Sequence, residues 1–227
     1  MQKLMQIVRG GAFLFVVAAV ALFGGALTKF DSAWAALATT QAEDFAQRNI
    51  DKGYGILRNK SLADRERDAQ FRNFMLSISD MRRIGIFALG QYANGLPQQE
   101  TNVYIAAFTE YAIPLYESWL SKYNERTLKI TGTLQRAEDD FVVRADAISA
   151  SNQTAQPFKV SLRIRKAADG SFVVTDMTAE GISLALTLRS DFAAFLQQHG
   201  GRVSDLVGRL KSQTINSGSS ATSTVPQ

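Results

Sequence analysis

The chain has 227 residues, a formal charge of +4 and no cysteine. That length supports one domain, with two as the weaker count, and the absence of cysteine excludes disulfides, thiolate metal sites and cysteine nucleophiles. Lys3, Arg9 and Lys29 against Asp31 supply +2 of the charge, leaving about +2 beyond residue 35, too little to argue for a nucleic-acid partner.

Lys3 and Arg9 form a positive start, and Gly10 to Leu27 is uncharged and apolar. Ala33-Trp34-Ala35 fits the small-x-small rule for signal cleavage, with Ala36-Leu37-Ala38 as a second option. Residues 1–35 therefore read as a cleaved export signal, with an uncleaved anchor as the alternative because the apolar run is near spanning length. The remainder divides into one domain over 36–211 and a Ser/Thr/Gly-rich tail over 212–227, expected to be disordered.

Helices come first. Ala36 to Asn59 carries Leu37, Phe45, Tyr54 and Leu57 among charges, a weakly amphipathic helix broken near Gly53 and Gly55. Ser61-Leu62-Ala63-Asp64 resembles a capping box, followed by a helix with Phe71, Phe74, Met75 and Ile78 on one stripe. Asp80 is placed to cap a third helix, Met81 to Leu89, that Gly90 ends. Pro97 opens a long helix to Tyr123, with Pro114 inside it. Tyr104, Phe108, Tyr111, Leu115 and Trp119 form one helical stripe; Ile105, Ala112, Tyr116 and Leu120 form another.

Four strands follow. Thr127 to Leu134 places Leu128, Ile130 and Leu134 on one face, and Phe141 to Ser149 does the same with Phe141, Val143, Ala145 and Ala147. Phe158, Val160, Leu162 and Ile164 alternate with Lys159, Ser161, Arg163 and Arg165. Period-two alternation means one buried and one wet face. Asp169-Gly170 makes a tight turn. Phe172 to Leu184 returns antiparallel, with a bulge or change of face at Asp176 and Met177. Two short helices, Arg189 to Gly200 and Val203 to Leu210, end the fold. Helices, then a meander, then helices define an α+β class.

Catalytic chemistry is sparse. His199 is the one histidine and sits at a helix end, where a dipole-compensating charge explains it better than catalysis. Asp139-Asp140 reads as a solvated turn between strands. No His, Cys and carboxylate spacing matches a metal site, and no phosphate loop or nucleophile elbow is present. The reading is therefore not an enzyme, with no cofactor and no metal. Lys159, Arg163, Arg165 and Lys166 form a basic strand face, read first as solvated and second as a surface for anionic headgroups or an acidic partner. The aromatic stripe of the long helix could be plain core or the wall of a cavity, and pattern alone favours plain core.

Several short stretches together resemble one family. These are Lys60-Ser61-Leu62-Ala63-Asp64-Arg65-Glu66 with Phe71; Arg83-Ile84 with Phe87, Leu89-Gly90 and Tyr92; Phe108, Tyr111, Tyr116, Leu120 and Tyr123; Glu180-Gly181-Ile182-Ser183; and Arg189-Ser190-Asp191-Phe192. In order and spacing they are similar to the MlaC, or toluene-tolerance, family of periplasmic phospholipid-binding proteins, which includes the hopanoid-associated HpnM group. Ala93, Pro114 and Phe172 depart from the family's usual residues. The resemblance implies an NTF2-like antiparallel four-stranded sheet wrapped by helices around an apolar cavity. It implies a periplasmic carrier of phospholipid, or of a hopanoid-type lipid. Its partners would be an inner-membrane ABC transporter complex and an outer-membrane lipoprotein complex. An NTF2-like small-molecule enzyme is the remaining alternative. On this reading the lipid-binding residues are Tyr104, Phe108, Tyr111 and Leu115 on the helix, facing Val143, Val160, Leu162 and Ile164 on the sheet.

Overall fold

The computed structural model describes the backbone of residues 21–121, 126–149 and 156–220, and the side chains among these from 36 to 214. Four helices lead: α1 (Ala21–Leu57), α2 (Asp64–Ile78), α3 (Met81–Leu89) and α4 (Gln98–Ser121). Five strands follow: β1 (Arg126–Ala137), β2 (Asp140–Ser149), β3 (Phe158–Lys166), β4 (Phe172–Ala179) and β5 (Ile182–Ser183). Helices α5 (Leu184–Gln198) and α6 (Val203–Ser220) close the chain. The strands pair antiparallel in sequence order, so the class is the α+β meander expected.

The alternating strands bury the expected face. Phe141, Val143, Ala145 and Ala147 are all buried, as is Ile164 on β3. Bulges redirect β1 and β4. In β1, Ile130 pairs with Ala145 and Gly132 with Arg144, so Thr131 is extra. Gly132 takes φ 147, and the shift turns Leu134 away from the inner face, leaving it 53% exposed. In β4, Arg163 pairs with Asp176 and Ile164 with Val174, so Thr175 is extra. This is the change of face signalled at Asp176 and Met177.

The expected single strand from Phe172 to Leu184 is three elements. Glu180 and Gly181 both adopt positive φ, 47° and 81°, and reverse the chain into the two residues of β5. Ser183 then caps α5: its hydroxyl accepts from the Leu186 N–H at 3.0 Å. Leu184 is helical rather than extended, α5 begins five residues before the expected start at Arg189, and the sheet has five strands rather than four.

The first helices also differ in detail from expectation. α1 runs unbroken through Gly53 and Gly55. Gly53 is where α1 meets α2: a Cβ there would lie 3.0 Å from the Phe74 ring. The Ser61 capping box does not form; Ser61 Oγ donates to Asn59 Oδ1, and Ala63 stands at the cap position. Asp80 does cap α3, accepting from the Arg83 N–H at 2.9 Å, and Gly90 ends it with φ 62. α4 begins directly after Pro97 and continues through Pro114. α6 runs past residue 211, the domain end expected from sequence, to Ser220. Residues 1–20 and 221–227 lie outside the described residues.

The largest core is helical. α4 packs on α3 at Gly85, where a Cβ would come 2.7 Å from Ile105 Cδ1 and 3.0 Å from Phe108 Cδ1. The Tyr104 hydroxyl donates to the Gly85 carbonyl at 2.9 Å. Phe192 of α5 meets Phe108 edge-on at 6.3 Å. A second cluster joins Ala42 and Ala46 of α1 to Phe141, Val143 and Ile164, so α1 lies on the inner face of β1 and β2.

The wet face of the sheet is neutralised by pairing. Arg163 grips Asp140 with two hydrogen bonds, at 3.0 and 2.7 Å. Arg165 reaches Asp139 at 2.5 Å, and Lys159 reaches Asp146 at 2.8 Å. Asp140 is therefore a buried ion-pair partner and not a solvated turn residue. The Arg163 hydrogen bonds hold its carboxyl below the usual carboxylate range. The basic face expected from β3 alone is laced with carboxylates from β2 and from the turn before it.

Candidate functional site

Between the sheet and the first two helices the chain leaves an apolar cleft. α1 contributes Phe45, Ala46, Asn49, Ile50, Gly53, Tyr54 and Leu57, one face at helical spacing. α2 contributes Phe74, Met75 and Ile78. α4 contributes Tyr116 and Leu120. The floor is Leu128 of β1, Val143 and Ala145 of β2, Val160 and Leu162 of β3, and Val174 and Met177 of β4. The cavity the cleft encloses amounts to about 80 Å³. It is a narrow slot lined by hydrocarbon.

Of the eight residues expected to bind lipid, Val143, Val160 and Leu162 line this slot. Ile164 does not; it is fully buried against α1 in the second cluster. Tyr104 and Phe108 are fully buried in the helical core. Tyr111 packs on Phe192, ring centroids 6.3 Å apart. Tyr111 and Leu115 line a separate cleft beside Thr214 of α6. The stripe expected to face the sheet faces α3, α5 and α6 instead. The neighbouring stripe, through Tyr116 and Leu120, reaches the slot. Sequence reasoning missed α1 as a wall altogether. Its signal was present: Phe45, Ile50, Tyr54 and Leu57 recur at helical spacing, with Ala42, Ala46 and Gly53 as the small residues that let the helix lie close.

Among the described residues, no group of three His, Cys, Asp or Glu side chains could hold a metal. His199 caps α5, where its ring stacks on Phe195 at 3.8 Å and its Nδ1 lies 2.8 Å from the Phe195 carbonyl oxygen.

One carboxyl between α2 and α4 has a raised titration point. Glu117 follows Tyr116 on α4, and its carboxyl is pushed up to about 7, first by burial, then by the charge and hydrogen bond of Asp68 on α2; Arg67 pulls the other way. Its ordinary value is 4.5, so the folded chain holds a proton there that the unfolded chain has released. That contribution to stability is complete below 4.5 and is lost as pH rises to 7. The urea midpoint should fall between pH 5 and 8, and Glu117→Gln should flatten that fall. Parallel profiles for the two proteins would contradict the assignment. Glu117 is partly exposed, so solvent screening keeps the effect small.

The fold is a mixed helix-and-sheet arrangement with an apolar slot between the sheet and the helices. The family model described as MlaC protein matches residues 47–212, and the chain belongs to that family. A solved structure with the same fold is the phospholipid-binding protein from Ralstonia solanacearum, in complex with a phospholipid. It is 18% identical, with a TM-score of 0.60 over 76% of this chain and 96% of that one.

Proposed function

We propose that the protein is a periplasmic lipid carrier that shields phospholipid acyl chains in the slot between α1, α2 and the sheet. The observation that carries this is the lining: an open cleft walled by α1, α2, α4 and Ile84 of α3 and floored by four strands, almost wholly hydrocarbon. The phospholipid held by the similar Ralstonia solanacearum protein supports the choice of ligand. Two chains of ~15 methylenes at ~0.8 kcal/mol each represent roughly 24 kcal/mol of transfer free energy. Unaided passage through water is correspondingly slow, and a carrier that covers the tails removes that barrier. The headgroup can stay in water, so the slot needs no charged pocket.

The slot is narrower than two tails require, so loading parts α1 and α2 from the sheet. Gly53 and Phe74, which meet where the two helices touch, mark the contact that must shift. The carrier exchanges lipid between an outer-membrane lipoprotein complex and an inner-membrane ABC transporter complex. Residues 1–35 serve as the export signal, cleaved after Ala35. Among the described residues no helix is long and apolar enough to cross a membrane. The test is transfer. Delipidated protein should extract labelled phospholipid from vesicles and release it to acceptor vesicles, faster than spontaneous exchange. A transfer rate equal to that of buffer alone would overturn the reading.

A further inference from the structure

Besides Asn49, Tyr54 and Ser161, three polar residues line the otherwise apolar slot. Ser79 follows the last turn of α2, and Tyr116 lies on α4; both line the slot. Each hydroxyl oxygen is buried without a hydrogen-bond partner among the described residues. Tyr116 is 3% exposed and Ser79 is 9% exposed. Asp176, at the β4 bulge, lines the same slot. Ser79 forms a bridge with Val174, two residues before Asp176. The Asp176 charge bears on the Tyr116 phenol, which burial above all keeps protonated. Three elements thus each bring a polar residue to the lining of the slot.

Asp176 is already engaged. Its Oδ1 accepts from the N–H groups of Met177 at 2.8 Å and Ala185 at 3.1 Å, and its Oδ2 from the Ser183 hydroxyl at 2.6 Å. It ties β4 to the start of α5. Its negative charge in an apolar setting repels a phosphate from this spot. Ser79 and Tyr116 each retain a proton to donate. A buried donor without an acceptor is unfavourable, and a ligand that supplies the acceptor relieves it.

We infer that Ser79 and Tyr116 form an internal polar anchor for an uncharged oxygen of the bound lipid, an ester carbonyl or an alcohol. This rests on the carrier reading and extends it. The slot then selects a lipid by an oxygen within its buried part as well as by its tails. Phosphate is kept at the mouth. A trapped water could satisfy the same two hydroxyls, and in that case neither residue would affect the choice of lipid.

Two matched pairs of probes separate these outcomes. One is a diester phosphatidylglycerol against its dialkyl-ether analogue with the same chains. The other is cholesterol against its 3-deoxy analogue. Competition for delipidated wild-type protein should favour the oxygen-bearing member of at least one pair by about tenfold, the scale of one hydrogen bond. Tyr116→Phe should reduce that preference to less than about twofold, and Ser79→Ala should weaken it independently. A preference within the first pair assigns the anchor to a carbonyl; within the second, to an alcohol. No wild-type preference in either pair, or a preference intact in both variants, would overturn the anchor and leave the carrier standing. Failure of the wild type to take up any of the four probes would overturn both.

Discussion

Leu162→Trp is expected to reduce the lipid carried by the protein about tenfold or more, while the delipidated variant stays within about 1 kcal/mol of wild type. Leu162 lies on the floor of the slot at partial exposure. In a filled core the larger ring would force strain of ~1–3 kcal/mol. Here it can enter space that the ligand would otherwise occupy, so the cost falls on binding. The comparison requires delipidated samples, because a ligand bound to the native state raises apparent stability. Lipid content by extraction and the urea midpoint together decide it. A destabilised variant with full lipid occupancy would show that β3 is packed solid at this point.

Phe108→Ala should do the reverse. The side chain is fully buried between α3 and α5 and does not reach the slot. Removing a buried phenyl costs ~3–5 kcal/mol, from lost transfer free energy and the cavity left behind. Folded protein should still carry its normal complement of lipid. Denaturation of delipidated variant and wild type, with lipid quantified on the folded fraction, gives both readouts. A stable variant with depleted lipid would return the Tyr104–Phe108 stripe to the ligand site.

These opposed outcomes follow from what pattern can and cannot specify. The strands of β2 and β3 were legible because strict alternation leaves one arrangement that buries Phe141, Val143 and Ile164 together. The Asp80 cap, the Gly90 stop and the Asp169-Gly170 turn were legible because each rests on local chemistry. The Thr175 bulge announced itself as a break in alternation. By contrast, α4 carries two apolar stripes, and a periodicity does not say which partner each stripe meets. Gly85, whose missing side chain lets α3 sit against Ile105 of one stripe and Phe108 of the other, seats that end of both stripes in the helical core. Further along α4, Tyr116 and Leu120 reach the slot.

α1 was read as weakly amphipathic because its contact face is built partly from alanine and glycine, which register as weak signals of burial. The ion pairs across β2 and β3 were hidden for another reason. Arg163 and Asp140 are 23 residues apart, and only the strand register brings them together. The end of β4 was misread because positive φ at Glu180 is rare for a residue with a side chain. Nothing short of the fold requires it there. The family resemblance bridged these gaps for the overall architecture but not for the wall of the cavity, where each side chain's direction matters.

The central claim, that the slot between α1, α2 and the sheet carries lipid, is tested most directly by native mass spectrometry of the protein purified from its own membrane-bearing source. The wild type should appear with an added mass that extraction identifies as one phospholipid, and Leu162→Trp, prepared in parallel, should appear predominantly without it. Wild-type protein at the bare chain mass, or an adduct undiminished in Leu162→Trp, would contradict the account.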